Sequence, residues 1–232
     1  MCGLPDRSKR NMIDYAISIH WRRRPDWQLA ARFKREFSRP VDITFLGVWD
    51  TVKTVGVWDA LLQGLGKFMA SRRTSLPYTA SLPNVQSGRH AVSIDEKRSR
   101  FRQNLWFLDK KHPSPERFEQ VWFAGVHSDV GGGYSDDRRL GEITMAWMMD
   151  GAQTNGLPMD RGVRPELTQQ SAVGKLHDNL LPVWWIMGWR RRTIPDGSTV
   201  HGSVAVRSRL VTDYEPRLPA DATWAEWDVA AH

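Results

Sequence analysis

The stretch VWFAGVHSDVGGGY, residues 121–134, limits the folds open to this chain more than any other segment. A short, continuous β-branched and aromatic run such as Val121–Val126 suits a parallel strand covered on both faces, where neither side needs polar residues. His127 then stands at the carboxyl end of that strand. In open α/β sheets this edge collects ligands and catalytic groups, because the strand fixes the backbone while the following loop is free to shape a site. Val41–Val52 repeats the design: VDITFLGVW reads as a strand, with Asp50 and Thr51 at its end. Downstream, Leu140–Thr154 carries Ile143, Met145, Ala146, Trp147 and Met149 at helical spacing, and Gly156 and Pro158 follow its end. The order strand, histidine–glycine loop, helix predicts an α/β fold with a few mostly parallel strands and many helices.

The rest of the chain is organised around these pieces. Ser8–Arg23 places Met12, Ile13, Ala16, Ile17 and Ile19 close to one helical face with Ser8 as cap, and Asp26–Phe37 forms a second helix striped by Trp27, Leu29, Ala30, Phe33 and Phe37. Residues 51–66 read as a loop and 71–88 as irregular surface chain, on the strength of their glycines and prolines. His90–Phe101 returns to helical spacing, and Lys110–Glu116 is a turn into the His127 strand. Residues 157–232 are richer in Pro, Gly and Trp without strand–helix alternation. The reading is therefore a catalytic-type region over 1–156 and a helical or irregular flank or cap of the same domain over 157–232.

Composition excludes several classes of protein. Cys2 is the only cysteine, so neither an intrachain disulfide framework nor a thiolate zinc site is available. No apolar core of a signal peptide follows Met1, and the longest apolar run, Leu180–Trp189, is about half of the ~20 residues that a spanning helix needs. The expected location is the cytoplasm, or outside the cell by a signal-less route. A net charge of +7 suggests an anionic partner, and the tryptophans of 183–189 ending in Arg190, Arg191 and Arg192 suit either a core or a membrane–water boundary. No recognised nucleic-acid motif accompanies the charge, and nucleic acid is not expected as a partner.

An acid and a histidine, each released from a strand end, form half of a catalytic arrangement. A hydroxyl is a weak nucleophile at neutral pH and needs a histidine base, which in turn needs an acid to hold its tautomer. Asp50 and His127 suit these two roles, although Asp50 also suits a cap of the turn after its strand and His127 a structural part. Asp129, two residues on, is placed to orient His127 or to share a cation with it. One histidine and one aspartate are too few ligands to infer a metal, and no cofactor is expected. Gly131, Gly132 and Gly133 allow close substrate approach or a tight turn. His90 and Asp95 suit solvated or capping roles, and His201 has no assigned chemistry. The G-x-S-x-G elbow that carries the nucleophile in α/β-hydrolases does not occur in the 232 residues.

FLGVWDTV near residues 45–52, HAVSIDEKRSRF at 90–101, VWFAGVHSDVGGGY at 121–134, and the later KLHDNL, VHGSV and YEPRLP segments resemble the uncharacterised alpha/beta hydrolase domain family, which includes the class 1 type VI secretion phospholipase effectors. The resemblance runs from about Cys2 to Pro219. It implies a serine lipase fold that cleaves phospholipid esters, with Asp50 as triad acid and His127 as triad histidine. It also implies that the nucleophile half of the fold precedes Met1, so that this chain is a partial hydrolase with unpaired strand edges and is inactive alone. The partners implied are a phospholipid or membrane surface, a missing N-terminal half, and an immunity or chaperone protein. The alternative is a non-catalytic remnant that binds a protein or anionic lipid.

Overall fold

The computed structural model describes residues 4–5, 7–20, 26–39, 41–52, 84–99, 101–106, 114–178, 189–227 and 229, and they fall into two compact units, Met1–Ile43 and Thr44–His232. The expectations for 53–66, 71–83, 110–113 and the tryptophans of 183–188 lie outside the described residues. The first unit contains β1 (Leu4–Pro5), α1 (Ile13–His20), α2 (Trp27–Phe37) and β2 (Ser38–Arg39), with β1 antiparallel to β2. Both predicted helices form. The first begins later than Ser8, because residues 7–12 take a 3-10 conformation with a kink at Lys9. Asp26 caps α2 by accepting the Leu29 N–H at 2.9 Å, the bond that an N-cap carboxylate is suited to make. Ile19, Ala30 and Phe33 are buried together, as the apolar stripes require.

The second unit is an α/β sheet. Its strands are β3 (Leu46–Trp49), β4 (Gly88–Ser93), β5 (Phe118–Phe123), β6 (Thr199–His201) and β7 (Thr223–Ala225), in spatial order β3-β4-β5-β6-β7 with every neighbour parallel. Its helices are α3 (His127–Val130), α4 (Arg139–Thr154), α5 (Gln169–Ala172) and α6 (Gly202–Leu210). The apolar run at the end of β5 serves two cores, because successive strand residues point to opposite faces. Val121 and Phe123 pack with Ala91, Leu140, Ile143 and Met148. Trp122 packs with Val92, Leu105, Ile194, Val200 and Val204 on the other side. With α4 contributing to one cluster and α6 to the other, both faces are covered, which is why this strand shows no polar alternation.

Two sequence expectations change. Residues 88–93 form the strand β4 between β3 and β5, and not part of a helix. The helical spacing of Ala91 and Ile94 is coincidental, and polar residues misled the pattern because His90 and Ser93 are buried with partners. Residues 157–232 also do more than flank: β6, β7 and α6 come from them. Three-residue strands are too short to show a period. The strand of His127 is paired on both sides, whereas β3 is an edge strand among the described residues. No described helix is long and apolar enough to cross a membrane.

Candidate active site

Asp50 and His127 meet across the carboxyl end of β4. Asp50 follows β3 directly, and His127 opens α3, four residues beyond the end of β5. Adjacent strands lie about 5 Å apart, so side chains from β3 and β5 bridge two such gaps only by leaning over the strand between them. They do so here: His127 Nδ1 lies 2.6 Å from Asp50 Oδ2, while Asp50 Oδ1 accepts the N–H of Ser93, the last residue of β4, at 2.9 Å. The Asp50 backbone turns sharply out of its strand at φ +40, a conformation uncommon outside glycine.

Asp50 is 0% exposed. Burial, the largest influence on its carboxyl, pushes it up; the hydrogen bond from His127, the charge and hydrogen bonds of Arg192 and the Ser93 N–H outweigh this and hold it well below the usual carboxylate range. An ionised carboxylate only accepts, so the 2.6 Å contact places a proton on His127 Nδ1 and leaves Nε2 as the basic nitrogen. The His127 side chain is 30% exposed, and among the described residues Nε2 has no hydrogen-bond partner. The Phe101 ring packs against the imidazole in a T-shaped arrangement at 5.2 Å between centroids. Glu96, itself held by Arg98, accepts the His127 backbone N–H at 3.2 Å.

Asp129 does not orient His127. Its Oδ2 accepts the N–H groups of Val126 at 3.0 Å and His177 at 3.2 Å, and its Oδ1 lies 2.6 Å from His177 Nδ1. Asp136 flanks the other ring nitrogen of His177, and Tyr134 stacks on the ring at 3.7 Å. Asp129 thus ties α3 and the loop after it to the 175–178 segment. Among the described residues no group of three or more candidate ligands is placed to hold a metal ion.

The glycines serve turn geometry. Gly131, Gly132 and Gly133 close α3 through N–H bonds to the carbonyls of His127, Asp129 and Ser128, and of the three only Gly132 has a positive φ, +74. Gly125 carries the stronger constraint: its φ is +120, and a Cβ there would lie 2.5 Å from Asp129 Cβ. His90 and His201 have structural places. His90 lies between Gln120 Oε1 at 3.0 Å and the Thr51 N–H at 3.2 Å, and burial pushes it down to about 4. His201 accepts the Ser203 N–H at the start of α6 and stacks on Phe123; burial pushes it down to about 3. Asp95 accepts the Gly125 N–H at 2.8 Å and the Tyr214 hydroxyl at 3.0 Å.

Sequence reasoning did not find Arg192, Ser93, Glu96 or His177. Nothing in RRR at 190–192 shows which arginine turns inward, and His177 has no strand or glycine loop to mark it.

No curated protein and no solved structure matches the chain. A family model described as type VI secretion system (T6SS), phospholipase effector Tle1-like, catalytic domain, matches residues 6–151. The match spans both Asp50 and His127, whereas His177 and Arg192 lie beyond its end. Covering well over half of the 232 residues, it establishes that the chain belongs to the Tle1-like catalytic-domain family of type VI secretion phospholipase effectors.

Proposed function

We propose that this chain supplies the acid and the base of a serine-type phospholipid esterase, with Asp50 as acid and His127 as base. The observation that carries the reading is the asymmetry of His127: Nδ1 is engaged by a buried carboxylate, while the ring is partly open and Nε2 unpartnered among the described residues. In the reaction Nε2 takes the proton of a hydroxyl as it attacks the ester carbonyl, then returns it to the leaving alkoxide, and water repeats the cycle on the acyl intermediate. Asp50 keeps the Nδ1–H tautomer and stabilises the imidazolium.

The nucleophile is the part these residues do not carry. Without a G-x-S-x-G elbow in the 232 residues, the hydroxyl and its oxyanion-stabilising N–H groups come from chain outside them. The surface on which the reaction takes place is proposed to be an anionic membrane, in keeping with the charge of +7. The test is fatty-acid release from vesicles of phosphatidylglycerol and phosphatidylethanolamine, paired with labelling by a fluorophosphonate. The 232-residue chain alone should give neither. Release that His127→Ala abolishes would overturn the claim that the nucleophile lies elsewhere.

A further inference from the structure

We propose that Arg192 is the positioning residue of the Asp50–His127 pair: its guanidinium is a fixed template that sets the plane of the Asp50 carboxylate and thereby aims Oδ2 at His127 Nδ1. This rests on the reading of Asp50 and His127 as acid and base.

The template is anchored independently of the acid it holds. Arg192 is 4% exposed in its side chain. Nη1 donates to the carbonyl of Ser93 at 3.1 Å and to its hydroxyl at 2.7 Å, and Nη2 donates to the carbonyl of Phe101 at 2.6 Å. These contacts fix the guanidinium plane against β4 and the 101–103 segment. The same two nitrogens then grip the carboxylate as a fork, Nη1 on Oδ1 and Nη2 on Oδ2 at 2.9 Å. A planar fork fixes the orientation of a carboxylate, which a point charge such as lysine cannot do.

His127 meets this template on two sides. Oδ2, the oxygen held by Nη2, is the one that contacts Nδ1. Phe101, whose carbonyl is the other acceptor of Nη2, packs its ring against the imidazole. One guanidinium therefore registers both the acid and one wall of the base. The carboxylate it grips belongs to a residue in a positive-φ turn, a conformation uncommon for any residue but glycine. Arg192 lies 142 residues after Asp50 and beyond the matched 6–151, so the site depends on chain outside the family match.

The experiment is side-chain NMR on the 232-residue chain, comparing the wild type with Arg192→Lys and Arg192→Met. In the wild type the Asp50 carboxyl signal should not titrate through about pH 4, the ordinary aspartate range, and His127 should give one ring form with its proton on Nδ1. In Arg192→Met the carboxyl should titrate in that range and the Nδ1–H signal should be lost. In Arg192→Lys the carboxyl should stay ionised, but His127 should become a mixture of tautomers, a separation that general loss of packing does not produce. Wild-type Asp50 and His127 signals in either folded variant would overturn the proposal. Should both variants fail to fold, the wild type decides it: separate, slowly exchanging Nη–H signals for Arg192 are expected, and freely rotating, averaged ones would overturn it. These signals report the geometry of the pair whether or not any ester is cleaved, so they fail separately from the vesicle assay.

Discussion

Replacing Asp50 by asparagine keeps the shape of the side chain and removes its charge, and the surroundings determine what this does to stability. The one remaining carbonyl oxygen can still accept the Ser93 N–H and Arg192 Nη1. The new amide nitrogen then stands where Oδ2 faced Arg192 Nη2 and His127 Nδ1. His127 can adapt by moving its proton to Nε2, but Arg192 cannot, because a guanidinium has only donors. The variant therefore sets donor against donor beside a cation that is 4% exposed and no longer compensated. Breaking a buried pair on one side costs about 3–5 kcal/mol. At an m-value of about 2–3 kcal/mol/M, the urea midpoint should fall by about 1–2.5 M, read by tryptophan fluorescence at neutral pH. The double variant Asp50→Asn/Arg192→Met should lose less than the sum of the two single changes, with a coupling of about 1 kcal/mol or more. Residues kept for function at the expense of stability often give the opposite result, a gain on replacement. An Asp50→Asn chain as stable as the wild type would refute the closed Asp50–Arg192 contact.

Acid should destabilise the fold in two windows. His90 and His201 are held neutral by burial, at about 4 and about 3 against an ordinary 6.5, so the unfolded chain takes up protons first as the pH falls. Each histidine should remove up to about 1.4 kcal/mol per pH unit from 6.5 down to its folded value. Asp50, held low, keeps its contribution until the pH drops below its ordinary 3.8. Asp95 works against the histidines, because burial raises its carboxyl. His201→Asn, which retains an N-cap acceptor, should therefore flatten the stability–pH curve between 6.5 and 4 relative to wild type in urea titrations, and an unchanged slope would count against the buried neutral imidazole. Gly141→Ala should lower the melting point by an amount equal to about 1–3 kcal/mol, since its Cβ would lie 2.8 Å from Gly132 Cα and 3.0 Å from the Asp129 carbonyl, backbone atoms that cannot swing aside. An unchanged melting point would mean that the glycine loop does not pack on α4 as described.

The proposed acid and base, Asp50 and His127, stand out in the sequence because each lies just beyond a strand whose apolar run says where it stops. The buried end of β5 needed no alternation to be recognised, since Val121 and Phe123 face one core and Trp122 the other. β4 was not legible for the converse reason: His90 and Ser93 are polar, and only the finished fold supplies Gln120, Thr51 and Arg192 as their partners. Asp129 was misplaced because closeness in sequence to His127 suggested contact, whereas a residue three positions into a short helix turns to its own cap and to His177. Long-range ion pairs of this kind carry no local signal. The strands β6 and β7, three residues each, are set by the edge they extend and not by their own composition.

In the proposed reaction Asp50 and His127 act on a nucleophilic hydroxyl supplied from outside these 232 residues. This is tested most directly by measuring phospholipid hydrolysis with this chain alone and with the chain joined to the G-x-S-x-G-bearing segment of a Tle1-like catalytic domain. No turnover is expected from the chain alone, turnover when joined, and a loss of about 10⁶-fold in the joined protein on His127→Ala. Full activity of the joined protein after His127→Ala would contradict it.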